Sequence, residues 1–288
     1  MPKYQEPLFR PPAEAESLIF QVARGCPHNT CRFCGMYKGV EYSIRSIEDS
    51  LAEFTETASV HPDTRRIFLA DGDVMRLPFD TLKKYLEVLN SLFPRLARVN
   101  VYANGSSIQS KTVAELEELR ALKLNTLYLG LESGSQQLLD LVNKGEVVED
   151  MIEAVQKAQQ VGLRASVMIL LGLGGKKYSD DHAELTAEAL NEMQPRILSA
   201  LRFVQVPNTR MFDEYEAVSE YDAVKELRNI ISGLKLNKTV FRANHTSNPI
   251  PLEGRFPNSK QDLLSYLDYQ LENGGLDKKG TGITPMIL

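Results

Sequence analysis

Short apolar runs, several of them rich in β-branched residues, alternate along the chain with segments of helical periodicity. Each pair occupies about 30–40 residues, which is the size of a βα unit. The pattern predicts six strands, at residues 17–24, 66–70, 98–103, 126–131, 163–171 and 197–206. Helix start signals lie between them, such as Ser46 with Asp49 and Thr112 with Glu115. Alternation of this kind predicts a parallel sheet with right-handed crossovers.

Six βα units are too few to close an eight-stranded barrel. The sequence therefore predicts an α/β fold, an open and partial TIM-like (β/α)6 barrel with a C-terminal extension that covers its open side. The predicted boundaries are an N-terminal extension at 1–16, the barrel at 17–210, a helical and loop extension at 211–272 and a tail at 273–288.

The composition is that of a globular protein with a large core, since 43% of the residues are hydrophobic and 25% are charged. Acidic residues outnumber basic ones by 38 to 33, which gives a net charge of −5 at pH 7. Proteins that bind polyanions normally carry a basic excess, so we expect a small-molecule substrate rather than nucleic acid. The longest near-continuous apolar run, at 165–173, is shorter than the ~18 residues that cross a bilayer. We therefore expect a cytoplasmic protein without membrane contact.

The chain has three cysteines, and all of them lie in one C-x4-C-x2-C loop formed by Cys26, Cys31 and Cys34. An odd number at this spacing does not form an ordinary disulfide framework, but it can bind one metal centre. A structural zinc ion needs a fourth ligand, and His28 lies only two residues from Cys26, which makes tetrahedral closure awkward. A [4Fe–4S] cluster normally takes four cysteines, so three would leave one iron open. The spacing favours the iron–sulfur cluster, and zinc remains the alternative.

Polar or glycine-rich residues follow each predicted strand. They are the cysteine loop, Asp71-Gly72-Asp73, Asn104-Gly105-Ser106, Glu132-Ser133-Gly134, Gly172-Leu173-Gly174 and Gln205-Val206-Pro207. The carboxyl ends of parallel strands form one face, where active sites of α/β folds lie. We therefore expect a site at this face, with the cysteine loop at its edge.

These motifs together resemble a radical S-adenosylmethionine (SAM) enzyme over nearly the whole chain, from Pro11 to about Leu271. The resemblance rests on the cysteine loop with Phe33, the Asp71-Gly72-Asp73 turn, the Gly130-Leu131-Glu132-Ser133-Gly134 segment and the glycine-rich end of the fifth strand. The combined pattern is similar to the branch that contains the elongator catalytic subunit and the oxygen-independent coproporphyrinogen oxidases. It departs from the family's commonest C-x3-C-x2-C spacing and from its usual Gly-Gly-Glu turn.

The resemblance implies a [4Fe–4S] cluster on Cys26, Cys31 and Cys34, with SAM chelating the open iron. One electron from a low-potential donor, of flavodoxin or ferredoxin type, would then split SAM to a 5′-deoxyadenosyl radical that abstracts hydrogen from an unidentified substrate. The resemblance names no catalytic side chain. With every cysteine in one loop, it also leaves none for an auxiliary cluster.

The resemblance and the strand-end positions together assign contacts to SAM. The predicted contacts to its amino group, carboxylate, ribose and adenine are Asp71, Gly72, Asp73, Asn104, Ser106, Glu132, Ser133, Phe33, Met36, Leu171 and Gly172. The predicted substrate contacts are Tyr37, Arg202, Gln205, Asn244 and His245, the last two in a polar loop at 242–251. A lone histidine is more often structural than catalytic, which applies to His182 as well as to His245.

Two classes of function compete. The first is a radical SAM enzyme with one cluster, acting on a small molecule or, as a runner-up within the class, modifying RNA. The second is a non-catalytic α/β binding protein whose cysteine loop is stabilised by zinc or by an iron–sulfur cluster. Iron content and SAM cleavage distinguish the two.

Overall fold

A computed structural model describes residues 4–282. Its strands are β1 (Leu18–Gln21), β2 (Ala23–Arg24), β3 (Ser43–Ile44), β4 (Arg66–Ala70), β5 (Arg98–Ala103), β6 (Leu124–Glu132), β7 (Arg164–Leu171), β8 (Ile197–Arg202), β9 (Thr239–Ala243) and β10 (Leu252–Phe256). Its α-helices are α1 (Ile47–Val60), α2 (Phe79–Leu92), α3 (Gly105–Gln109), α4 (Val113–Ala121), α5 (Gln136–Leu141), α6 (Val148–Gln160), α7 (Ser179–Met193), α8 (Glu220–Gly233) and α9 (Lys260–Asn273).

Within the described residues, eight of these strands form one sheet in the order β1-β4-β5-β6-β7-β8-β9-β10. The strand pairs β1/β4, β4/β5, β5/β6, β7/β8 and β8/β9 are parallel, and β9/β10 is antiparallel. Outside this sheet, β2 pairs with β3 in antiparallel register. A mainly parallel sheet with intervening helices confirms the predicted α/β fold class.

The predicted strands agree with the structure most closely at β4 and β5, whose bounds are those expected. The predicted strand at 17–24 is interrupted at Val22. Its N–H still bonds to the Ala70 carbonyl of β4, whereas its carbonyl accepts the Arg45 N–H and residues 23–24 pair with β3. The prediction of a strand at 197–206 was too long, because β8 ends at Arg202. The strands β9 and β10 were not predicted from the sequence. The polar segment at 242–251 is consequently not all loop, since its first two residues belong to β9.

The described chain divides into two compact units. The first unit contains the described residues up to Asn29, together with Met36–Leu129 and Glu153–Ala165. The second contains Thr30–Gly35, Gly130–Ile152 and the described residues from Ser166 onward.

An aromatic cluster fills the core of the first unit on the side of α1 and α2. The Phe20 ring lies 4.6 Å from that of Phe54, which in turn lies 5.5 Å from Tyr85. Helices α1 and α4 of this unit begin where the sequence predicts, because the Ser46 side chain accepts the Asp49 N–H and Thr112 forms a capping box with Glu115.

A buried carboxylate lies elsewhere in the same unit. Glu14 is 2% exposed and accepts hydrogen bonds from Ser17, Asn100 and Tyr128. The Tyr128 ring belongs to a second aromatic cluster with Phe68. Glu14 therefore ties the N-terminal segment to β5 and β6.

Helix packing dominates the second unit. A Cβ on Gly233 in α8 would lie 2.7 Å from the Ala187 side chain in α7, so glycine is needed for this close helix contact. Residues 277 and 280 accept backbone hydrogen bonds from the first turn of α8. Residues 283–288 of the predicted tail and 1–3 of the predicted N-terminal extension lie outside the described residues, and the domain boundaries stay predictions. No helix within 4–282 has the length and apolar character needed to cross a membrane.

Candidate functional site

Asp71, directly after β4, is a buried hydrogen-bond acceptor in the first unit. Its carboxylate accepts from the Tyr37 hydroxyl (2.6 Å), the Gln21 amide (2.8 Å) and the Gly25 N–H (3.3 Å). Burial raises the pKa of Asp71, and these hydrogen bonds act in the opposite direction. Burial and the nearby Asp71 charge likewise raise the pKa of Tyr37. The geometry favours a role for Asp71 and Tyr37 in fixing the cysteine loop, and their predicted SAM and substrate contacts stay predictions.

Gly72 allows the turn after β4 to touch the cysteine loop. A Cβ at this position would lie 2.6 Å from the Gly25 carbonyl oxygen and 2.7 Å from Cys26 Cα. No side chain larger than hydrogen fits there, so Gly72 is required for a close approach. The residue that lies against Gly72 in this chain is Cys26.

The strand ends of β4 and β5 are joined through a side-chain hydrogen bond. The Asn104 amide donates to Asp73 Oδ2 at 3.2 Å, and the Asn104 N–H bonds to Ser107 Oγ at the start of α3. Asp73 is 3% exposed, whereas Ser106 is exposed. The first unit therefore brings Asp71, Gly72, Asp73 and Asn104 together beside Cys26.

A buried ion pair occupies the end of β6 in the second unit. Lys144 Nζ lies 3.1 Å from Glu132 Oε1, and both side chains are nearly buried. Gly130 leaves the space for this carboxylate, because a Cβ there would collide with Glu132 Oε1. Burial alone would lower the pKa of Lys144, but the charges of Glu132 and Cys31 raise it above its ordinary value. Lys144 was not predicted from the sequence, because the spacing between Lys144 and Glu132 matches no recognisable motif.

Hydrogen bonds hold the part of the cysteine loop that belongs to the second unit. The Arg32 N–H bonds to the Val142 carbonyl at 2.8 Å, and the Asn208 amide donates to the Gly35 carbonyl at 2.9 Å. Phe33 packs on a buried apolar cluster that includes Leu138 and Leu173. This contact makes Phe33 a packing residue of the loop, and its contact with adenine stays a prediction.

Cys26 belongs to the first unit, and Cys31 and Cys34 belong to the second. Each is partly exposed, and none forms a disulfide bond. Among the residues the structure describes, no three His, Cys, Asp or Glu side chains are grouped to hold a metal ion. The donor set fits iron–sulfur chemistry, because thiolates are the usual ligands of such clusters and the Lys144 cation lies near Cys31.

A buried polar network joins α7 and α8 to the loops after β6 and β7. His182 Nδ1 lies 2.8 Å from Ser133 Oγ, and His182 Nε2 lies 3.5 Å from Glu226 Oε1. Glu226 also accepts the Gly172 N–H at 2.6 Å and the hydroxyl hydrogen of Ser179. Glu226 was not predicted from the sequence, because a lone acidic residue in an amphipathic helix gives no functional signal.

Gly172 has a left-handed backbone, with φ of +78°, at the end of β7. A Cβ there would lie 2.7 Å from Val218, and the Gly172 carbonyl accepts the Tyr215 hydroxyl at 3.1 Å. The Leu171 carbonyl accepts the Phe203 N–H. The backbone groups predicted to contact adenine are thus already used within the chain, and that contact stays a prediction.

Two of the predicted substrate contacts are linked through Ser247. The Arg202 N–H bonds to Ser247 Oγ at 3.2 Å, and the same oxygen lies 2.9 Å from His245 Nδ1. Arg202 is 7% exposed and its pKa is lowered by burial, whereas Gln205 and Asn244 are exposed. The structure therefore associates Arg202 with His245 and places Gln205 beyond the end of β8.

We expect the His182–Glu226 pair to control how stability depends on pH. Burial, assisted by Asp180 and Asp222, raises the pKa of Glu226 to about 7, against the bonds from Ser179 and Gly172. Burial lowers the pKa of His182 to about 4. The contribution of Glu226 to the free energy of unfolding is full below pH 4.5 and is lost as the pH rises to about 7. The contribution of His182 is full above pH 6.5 and is lost as the pH falls to about 4.

In the wild type these two contributions oppose each other between about pH 4.5 and 6.5. Glu226→Gln removes one of them. The free energy of unfolding of this variant, relative to wild type, should therefore rise by about 1.4 kcal/mol per pH unit across that window. Urea titrations at half-unit steps of pH measure the free energy of unfolding of both proteins. If it depended on pH in the same way in Glu226→Gln and in wild type, Glu226 would not have the raised pKa on which this prediction depends.

The model of the radical SAM superfamily matches residues 20–190, more than half of the sequence, and the chain belongs to this superfamily. Its members use a [4Fe–4S] cluster and SAM, which confirms both predicted cofactors at the level of the family. An uncharacterised protein of Methanocaldococcus jannaschii is 24% identical over 278 residues, which are 91% of this chain and 57% of that protein. The chain thus spans little more than half of this relative's length.

Solved structures agree with the fold. Coproporphyrinogen III oxidase (HemN) of Escherichia coli, a radical SAM enzyme, matches with a TM-score of 0.58 at 18% identity, covering 75% of this chain and 51% of that one. Elp3 of Methanocaldococcus infernus matches with a TM-score of 0.52 at 16% identity, covering 80% of this chain and 59% of that one. Similarity at this identity supports the fold alone. The superfamily match and these structural neighbours together confirm the resemblance predicted from the sequence.

Proposed function

We propose that this chain is a radical SAM enzyme, in which a [4Fe–4S] cluster on Cys26, Cys31 and Cys34 supports reductive cleavage of SAM to methionine and a 5′-deoxyadenosyl radical. The observation that carries the proposal is the match to the superfamily over residues 20–190, which includes all three cysteines of the chain. A low-potential donor of flavodoxin or ferredoxin type supplies the electron.

The chain's own residues bind and orient SAM in this proposal. Asp73 and Asn104, joined at the ends of β4 and β5, contact its amino group and carboxylate. Glu132, held by Lys144, receives the ribose hydroxyls. The Asp73 and Glu132 carboxylates are almost completely buried, so each accepts a directional hydrogen bond that is weakly screened by water.

The substrate in this proposal is a small molecule that carries an anionic group. Arg202 is buried at the carboxyl end of β8, and its backbone N–H bonds to Ser247 Oγ, which also contacts His245 Nδ1. A buried arginine pairs well with a carboxylate or phosphate. The net charge of −5 disfavours a polyanionic partner such as RNA.

Anaerobic reconstitution followed by metal analysis and a SAM cleavage assay tests the proposal. The protein should be brown, hold about four irons per chain and form 5′-deoxyadenosine with a strong reductant. A colourless protein with one zinc ion that leaves SAM intact would overturn the proposal in favour of the zinc-stabilised binding protein.

The SAM contacts are tested by Asp73→Ala and Glu132→Ala. Each should weaken SAM binding about tenfold or more while iron content is kept, because each removes a buried hydrogen-bonding carboxylate. Equilibrium dialysis with labelled SAM measures the affinity. Asp63→Ala is the matched control, since Asp63 is an exposed carboxylate paired with Arg95 and should not alter SAM binding. Unchanged affinity in both variants would refute this placement of SAM.

A further inference from the structure

The second unit buries a carboxylate and an imidazole side by side, outside all predicted SAM contacts. Both the Glu226 and the His182 side chains are completely buried. Removing an ionisable group from water is costly unless its hydrogen bonds are replaced within the protein. The protein groups that hydrogen-bond to Glu226 and His182 in place of water therefore indicate what these two residues do.

The pair binds the two loops that carry predicted SAM contacts. Toward β7, Glu226 Oε1 accepts the Gly172 N–H at 2.6 Å. Toward β6, His182 Nδ1 lies 2.8 Å from Ser133 Oγ. One turn further along α7, Thr186 Oγ1 accepts the Gly134 N–H at 2.9 Å. Side chains of α7 and α8 thus fix the backbone of both strand ends.

His182 Nδ1 faces two hydroxyl groups. It lies 2.8 Å from Ser133 Oγ, which accepts the Ser135 N–H at 3.0 Å, and 3.3 Å from Thr186 Oγ1. Burial keeps the imidazole neutral at pH 7 by lowering its pKa to about 4, and Nε2 lies 3.5 Å from Glu226 Oε1. The network therefore favours one arrangement of the Ser133 and Gly172 loops.

We propose that His182 and Glu226 are positioning residues for SAM, which hold the loops after β6 and β7 in the arrangement that binds the nucleoside. This inference rests on the proposed function, because it takes SAM as the ligand of these loops. A merely structural role would lower stability without changing affinity, so the two roles are experimentally distinct.

The test compares variants that lose or keep the hydrogen-bond acceptor, using iron-loaded protein. Glu226→Leu should weaken SAM binding about tenfold, because the Gly172 N–H loses its acceptor. Glu226→Gln keeps a carbonyl oxygen for that N–H and should stay within about threefold of wild type. Equilibrium dialysis gives the affinity, and the maximal rate of SAM cleavage at saturating SAM should remain close to wild type.

His182 is tested in the same way. His182→Leu removes the hydrogen-bond partner of Ser133 and should weaken SAM binding about tenfold, whereas His182→Asn retains a polar group near the position of Nδ1 and should stay within about threefold. Glu14→Leu is the matched control, because Glu14 is a buried carboxylate of the first unit with comparable hydrogen bonds. Glu14→Leu should lower the midpoint temperature of thermal unfolding while leaving the affinity for SAM unchanged.

Each outcome is decisive. Equal SAM affinity in wild type and Glu226→Leu, with wild type binding normally, overturns the inference and leaves the proposed function intact. Failure of wild type to bind SAM overturns the proposed function instead. Should Glu226→Leu not fold, the difference between His182→Leu and His182→Asn decides by the same criterion. A Glu14→Leu variant that binds as weakly as Glu226→Leu also overturns the inference, since affinity would then follow stability alone.

Discussion

Alanine in place of Cys26, Cys31 or Cys34 should abolish the formation of 5′-deoxyadenosine from SAM. The chain has no cysteine outside this loop, so no other thiolate can replace the one that is lost. Cluster assembly on two thiolates should be incomplete, and the iron content of each variant should fall well below that of wild type. Iron analysis and quantification of 5′-deoxyadenosine after anaerobic reconstitution measure both effects.

Arg32→Ala is the control within the same loop. The Arg32 side chain is exposed, and the loop is held there through its backbone N–H, which bonds to Val142 whatever the side chain. This variant should keep wild-type iron content and SAM cleavage. Full activity in any one cysteine variant would remove that cysteine from the site.

The strands that carry the site were predictable because their sequences are short apolar runs with polar ends. β4 is a run of apolar residues after Arg66 that stops at Asp71, and its bounds agree with the prediction. β9 and β10 were missed because exposed and charged residues such as Arg242 and Glu253 interrupt their apolar pattern. The two strands pair with each other in antiparallel register, and such pairing depends on partners rather than on local sequence.

The polar partners within the site could not be predicted in the same way. Asp71 bonds to Tyr37 and Gln21, which are 34 and 50 residues away, and Glu226 bonds to Gly172 across 54 residues. Local patterns identify which residues follow a strand, but only the fold decides which of them already have partners. The bonds that Asp71 and Gly172 make within the chain were therefore not predictable, and their contacts with SAM stay predictions.

Methionine in place of Lys144 should lower the free energy of unfolding by about 3–5 kcal/mol, because it leaves the buried Glu132 carboxylate without its counter-charge. Methionine fills a similar volume, so the effect arises from the lost charge rather than from a cavity. Urea denaturation at neutral pH measures the change. Lys176→Met is the matched control, since Lys176 pairs with Glu216 at the surface and its loss should leave stability nearly unchanged.

The double variant Lys144→Met/Glu132→Gln separates the ion pair from other roles of Lys144. Glutamine removes the uncompensated charge, so the double variant should recover much of the stability that Lys144→Met loses. If the two substitutions were simply additive, Lys144 would stabilise the fold independently of Glu132. Recovery of stability without recovery of SAM affinity would show that the pair holds Glu132 for binding, because the double variant has a neutral amide where the proposal requires a carboxylate.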